Sequence, residues 1–149
     1  MRIALSADEL TPLVEAVRRD LEQRGHQVEY LGPAAGENAD WPDVTRAASE
    51  RVASGAADEA VVMCWTGTGA SLAANKVAGV RAALCADAET ARGARTWNHA
   101  NVLALSLRST SEPIAREILD AWFSTPYSQD EWNRRQVDKI RDMDERKTG

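Results

Sequence analysis

Between positions 64 and 71 the chain reads CWTGTGAS. A thiol (Cys64), a hydroxyl (Thr66) and two glycines (Gly67 and Gly69) therefore follow the apolar run EAVVMC and precede the small-residue segment ASLAANK. Glycines at that spacing let successive backbone N–H groups, here those of residues 66 to 71, converge on one point, and the positive end of a following helix adds to them. Such a nest stabilises negative charge. With a thiol beside it, the chemistry in reach is removal of a proton from a carbon next to a carbonyl, with the resulting oxyanion held by the amides.

Two other readings of the same loop stand beside this one. Gly67, Gly69 and Ala73 fit a loose GxGxxxA pattern, and Asp87 falls where a ribose-binding acid of a dinucleotide site would lie. That loop, however, follows the third apolar run rather than the first, and no residues remain for a substrate domain. A phosphate-binding GxxxxGK[ST] loop is absent. The other reading is structural: glycines after a strand serve turns, and a cysteine ending a strand is an inert small hydrophobe.

The elements that must position these residues alternate along the chain. RIALS (2–6), QVEYL (27–31), EAVVMC (59–64), VRAALC (80–85) and NVLAL (101–105) read as strands. Helical patterns separate them, the first capped by Thr11 with Pro12 in its first turn. Ser109 with Glu112, and Ser128 with Glu131, have capping-box spacing ahead of two further helices, the last expected over about 129–146. Strands separated by helices predict an α/β fold in three layers: a Rossmann-like, five-stranded parallel sheet in flavodoxin-like order, helices on both faces and an extra C-terminal helix. The 149 residues form one domain, 1–149. Ligands of such sheets sit beyond the carboxyl ends of the strands where strand order reverses, which points to SADE (6–9) and CWTGTG (64–69).

Composition narrows the classes. A net charge of −5 argues against a nucleic-acid partner. No apolar run approaches a membrane span, and the N-terminal apolar stretch is too short for a secretory signal. Two cysteines without CxxC spacing and two histidines give neither a disulfide scaffold nor a metal site. A cytoplasmic protein with no metal and no cofactor is the expectation.

The segment CWTGTGASLAANKVAGVRAALC, followed by NHANVLALSLR, closely resembles the type B ribose-5-phosphate isomerases and the related galactose-6-phosphate isomerase subunits. The family pattern is approximately CGTGxGxSxAANKxxGxRAAxC and then HNxxNVLxxGxR, and the resemblance runs from RIALSADE to VDKIRDMDE. It implies a metal-independent aldose–ketose isomerase acting through a cis-enediolate, in a homodimer or homotetramer with sites shared between protomers. Carried onto this chain, Cys64 is the base that moves the proton and Thr66 assists proton movement between the oxygens. The amides of Thr66, Gly67, Gly69 and Ser71 stabilise the enediolate, helped by Asn98 from the neighbouring protomer. Asp8 contacts the sugar near its ring oxygen.

The departures from that pattern concentrate in the substrate pocket. Glu9 stands where the family has histidine, Trp97 where it has the ring-opening histidine, and Trp65 where it has the first loop glycine. WNRRQV (132–137) replaces a pattern near RHQxRV, so Trp132 and Gln136 occupy the positions of two phosphate-binding arginines. Glu9 thus substitutes repulsion for attraction, and a close charge pair is worth about 4 kcal/mol at an effective dielectric near 20. Arg135 is a candidate to restore the phosphate contact and His99 to open the sugar ring; each has an alternative as a surface residue. Trp65, Trp97 and Trp132, with Trp41 nearby, suggest a reshaped pocket for a sugar or sugar derivative. Two alternatives remain: a non-catalytic homodimeric small-ligand-binding protein on the same fold, and a related epimerase or tautomerase.

Overall fold

The computed structural model describes the backbone of residues 1–148 and the side chains of residues 1–145. In chain order the elements are β1 (Arg2–Ala7), α1 (Pro12–Gln23), β2 (Gln27–Leu31), α2 (Trp41–Ala53), β3 (Glu59–Cys64) and α3 (Thr68–Ala74). They continue with β4 (Ala82–Leu84), α4 (Ala88–Asn98), β5 (Val102–Ser106), α5 (Glu112–Ser124) and α6 (Glu131–Thr148). All strand pairs are parallel and the sheet order is β2-β1-β3-β5-β4. The three-layer α/β architecture is the one the alternating pattern predicts. Order reverses between β1 and β3, as expected, but the last two strands exchange places relative to the flavodoxin-like order. The reason lies in burial: β5 is buried at all five residues and takes the inner position, whereas β4 has three partly exposed residues and serves as the edge.

The two sheet faces are filled differently. Ile3, Leu5, Val61, Met63, Leu103 and Leu105 alternate onto one face and pack with residues of α1, α4 and α5, including fully buried Trp122. Ala4, Ala60, Val62, Cys64, Val102 and Ala104 point the other way, against small residues of α2 and α3 such as Ala48, Ala70 and Ala74. Strand periodicity thus sends Cys64 toward α3. Small side chains there let that helix approach the sheet closely.

Local capping follows short polar side chains, with two shifts from the expected positions. Thr11 caps α1, accepting from the Val14 N–H. Ser111, not Ser109, caps α5 by accepting from the Ile114 N–H at 3.3 Å. Asp130 rather than Ser128 caps α6, its Oδ1 accepting from the Asn133 N–H at 2.9 Å. Asp87 caps α4 through the Thr90 N–H at 2.7 Å, and these hydrogen bonds hold its carboxyl below the usual range. That use of Asp87 removes the acid the dinucleotide reading required. Among the described residues no helix is long and apolar enough to cross a membrane.

Helices return antiparallel to the strands they follow, so the last turn of α4 lies at the amino ends of the strands. Hydrogen bonds fix it there. Asn101 accepts from the Ala60 N–H at the start of β3, and its side chain accepts from the Arg81 N–H just ahead of β4. A buried pair anchors the same region: Arg95 meets Glu59 at 2.8 Å, and Trp122 Nε1 donates to Glu59 at 2.6 Å. The Arg95 guanidinium also lies over the Trp122 and Tyr127 rings.

Candidate active site

β1 and β3 are neighbours in register, with Ala7 opposite Met63, so Asp8 and Cys64 leave the sheet side by side. β5 lies on the other flank of β3 and pins the loop that follows. Leu107 N–H donates to the Cys64 carbonyl at 2.9 Å, while Arg108 N–H and the Ser106 hydroxyl both donate to the Trp65 carbonyl. Gly67 then turns the chain with φ of +76°, in the left-handed region that favours glycine. A Cβ there would lie 2.5 Å from Leu84 Cδ1 and 2.9 Å from the Leu105 carbonyl carbon. No other residue fits.

Cys64 is 5% exposed, and its Sγ accepts the Ala70 N–H at 3.4 Å. The sulfur therefore sits at the amino end of α3 rather than lost among apolar atoms. The amides of Thr66, Gly67, Thr68 and Gly69 have no hydrogen-bond acceptor among the described residues. Ser71 differs from the expectation: its N–H closes the first helical turn onto the Gly67 carbonyl at 3.0 Å, so it is not a free donor. The Thr66 and Thr68 hydroxyls share a hydrogen bond of 2.7 Å. Above the loop the Trp41 ring stacks on Gly69, where a Cβ would meet it at 3.0 Å. Burial, and secondarily the neighbouring Glu9 charge, push the Asp8 carboxyl above its ordinary range, against a backbone hydrogen bond that lowers it. Glu9 is exposed and bridges to Asn38.

Of the amides of residues 66 to 71 expected to converge here, that of Ala70 goes to the sulfur. Sequence reasoning passed over one residue. Arg108, just past β5, carries a cation beside the loop with no carboxylate partner among the described residues. Its place beyond the carboxyl end of a central strand was the available signal.

The remaining expected residues lie at the opposite pole. α4 has eleven residues, which span roughly 16 Å. Asn98 at its far end is therefore out of reach of the Cys64 loop in the same chain. Trp97 and Asn98 line a groove of about 430 Å³ together with Gln136 and Lys139. Trp132 is on the first turn of α6, near this pole, because the preceding Ser128 N–H donates to the Thr96 carbonyl. Arg135 faces outward on α6, paired loosely with Glu131 at 3.9 Å. His99 is buried at 7%, ends α4 in a left-handed conformation and stacks on Tyr127, with Nε2 at 2.8 Å from the Ser128 carbonyl. Its ring supports the turn and does not line the Asn98 groove.

Trp65, Trp97 and Trp132 are 59%, 59% and 61% exposed, one at the first pole and two at the second. A cleft of about 530 Å³ lies elsewhere, between α2 and α3 behind Trp41 and Leu72, and holds none of the loop donors. Among the described residues no cluster of His, Cys, Asp and Glu could hold a metal ion.

A profile described as Ribose/Galactose Isomerase matches residues 3–140. The chain is 35% identical to galactose-6-phosphate isomerase subunit LacB of Clostridium acetobutylicum, over all of this chain and 87% of that one. It is 37% identical to ribose-5-phosphate isomerase B of Escherichia coli, over 72% of each chain. Among solved structures, Clostridium thermocellum ribose-5-phosphate isomerase B superposes with a TM-score of 0.93 at 36% identity, covering both chains fully.

Proposed function

Because this chain belongs to the ribose/galactose isomerase family, whose members are sugar-phosphate isomerases, we propose that it interconverts an aldose and a ketose through a cis-enediolate at the Cys64 loop. The Cys64 thiolate takes the proton from C2 of the open-chain aldose. The C–H electron pair becomes the C1–C2 double bond, and the carbonyl electrons move onto O1. That oxyanion lies against the Thr66, Gly67, Thr68 and Gly69 amides, and each well-aimed donor of this kind is worth about 3–4 kcal/mol in the transition state. The Thr66 hydroxyl passes a proton between O1 and O2. The thiol then returns its proton to C1, giving the ketose. Asp8 contacts the sugar near its ring oxygen.

The observation that carries this reading is the sulfur seated on the Ala70 N–H beside four amides without acceptors. Asn98 completes the site from a second copy of this chain, since its own loop lies at the other end of the sheet. His99 acts by holding the Asn98 turn rather than by opening the sugar ring. The pocket is reshaped: Glu9 repels a phosphate at the Cys64 pole, and the exposed tryptophans cover the substrate once two copies meet.

Solvent-deuterium exchange into free and phosphorylated aldoses and ketoses, followed by NMR, tests the reading. Exchange at the carbon next to the carbonyl, lost in Cys64→Ala, is the expected result. No exchange into any sugar would leave a ligand-binding protein on this fold.

A further inference from the structure

The turn that ends α4 has an unusual backbone. His99 adopts a φ of +48°, the only positive φ outside glycine among the described residues. Glycine or asparagine ordinarily takes such a place after a helix, because a larger side chain crowds its own backbone there. A histidine keeps that conformation only where its surroundings over-determine it. Here they do. Its ring stacks on Tyr127 with centroids 4.5 Å apart and planes within 4°, and its Nε2–H donates to the Ser128 carbonyl at 2.8 Å. The His99 carbonyl accepts from Arg81 Nε at 2.9 Å. The next carbonyl, that of Ala100, accepts from Arg95 at 2.7 Å and from the Tyr127 hydroxyl at 3.1 Å. Arg95 and Arg81 both bond that hydroxyl in turn, and Glu59 fixes Arg95 at 2.8 Å. Arg81, Arg95 and Tyr127, from three separate stretches of chain, thus hold two consecutive carbonyls. Asn98, immediately before them, is left open: its side chain is exposed and makes no hydrogen bond among the described residues. Ending a helix requires none of this, since a glycine at position 99 would suffice.

We infer that Tyr127 is a positioning residue for the isomerisation, its ring and hydroxyl holding the turn from Asn98 to Ala100 so that the Asn98 amide is presented to the neighbouring protomer in one orientation. The inference rests on the proposed function, in which Asn98 completes the site of a second copy. Tyr127 itself touches no reacting atom. A donor stabilises an oxyanion best when it is already aimed, so that nothing reorganises as the charge develops. The last residue of a helix ordinarily frays. Here Arg81 fixes the peptide plane after His99, and Tyr127 with Arg95 fixes the one after Ala100. The stacked ring holds the residue between Asn98 and those planes.

Amide hydrogen exchange of the full chain reads the turn without any substrate. The His99 and Ala100 N–H groups both bond the Ala94 carbonyl. In Tyr127→Leu they are expected to exchange at least about tenfold faster while the β3 amides keep their rates. In turnover, Tyr127→Leu should lower kcat at least about tenfold and leave KM within about twofold. Tyr127→Phe keeps the ring on His99 and loses only the hydroxyl, so it should show a smaller change in both readouts; it carries the same test if the leucine variant does not fold. Because Tyr127 acts through Asn98, adding either variant to Asn98→Ala should cost less than about a further twofold in kcat. Unchanged exchange at the turn, equal acceleration in β3, a loss confined to KM, or losses that multiply in the double variant would each overturn the inference. Failure of the proposed function reads differently: no deuterium enters any sugar, whatever the turn amides do.

Discussion

The two poles of the sheet are built on different principles. At the Cys64 pole the proposed catalytic groups are backbone amides and one thiol, placed by strand register and by a glycine that nothing else can replace. At the Asn98 pole they are side chains at the end of α4 and along α6, facing an open groove beside exposed tryptophan. The first arrangement tolerates little change, because moving an amide means moving the chain. The second can exchange histidine for tryptophan or arginine for glutamine without disturbing the sheet. In the proposed reaction, proton transfer belongs to the first pole and substrate choice to the second.

That division predicts unequal effects. Cys64→Ala should lower exchange and turnover by at least about a thousandfold, since it removes the base, with far-UV circular dichroism unchanged. Retained turnover would take the thiol out of the chemistry. Asn98→Ala should cost roughly a hundredfold in kcat, the range for one lost oxyanion donor. An effect confined to KM would assign Asn98 to binding instead. Gly67→Ala should destabilise the fold by about 2–4 kcal/mol, combining a strained φ with overpacking against Leu84 and the β5 backbone. Urea unfolding measures it, and an unshifted midpoint would contradict the close approach. The smallest change is Glu9→Gln. Removing that like charge should bring the Asp8 pKa down toward its ordinary value, so the acid limb of the pH–rate profile moves to lower pH. An unshifted limb would mean that Glu9 does not act on Asp8.

The same contrast explains what the chain revealed before any coordinates. Strand alternation, the glycine loop and the helix caps are local signals, and they located β3, the turn at Gly67 and the sulfur's environment. The Ser71 amide escaped because a single residue decides where a helix begins: with Gly67 as the cap, Ser71 is already inside. Relations between distant elements were less legible. The exchange of β4 and β5 depends on which strand buries more. The role of His99 depends on Tyr127 and Ser128, far along the chain. Whether Arg135 or Lys139 faces the groove turns on the rotation of α6, set by its packing on α4.

The central claim is that one active site takes Cys64 from one protomer and Asn98 from another. Mixing Cys64→Ala with Asn98→Ala chains, after denaturation and refolding together, tests it directly. A hybrid dimer then carries one site with both residues intact, so random pairing should restore about a quarter of the unaltered activity from two inactive parents. Activity that stays at the level of the parents, while mass spectrometry shows hybrids present, would contradict the account.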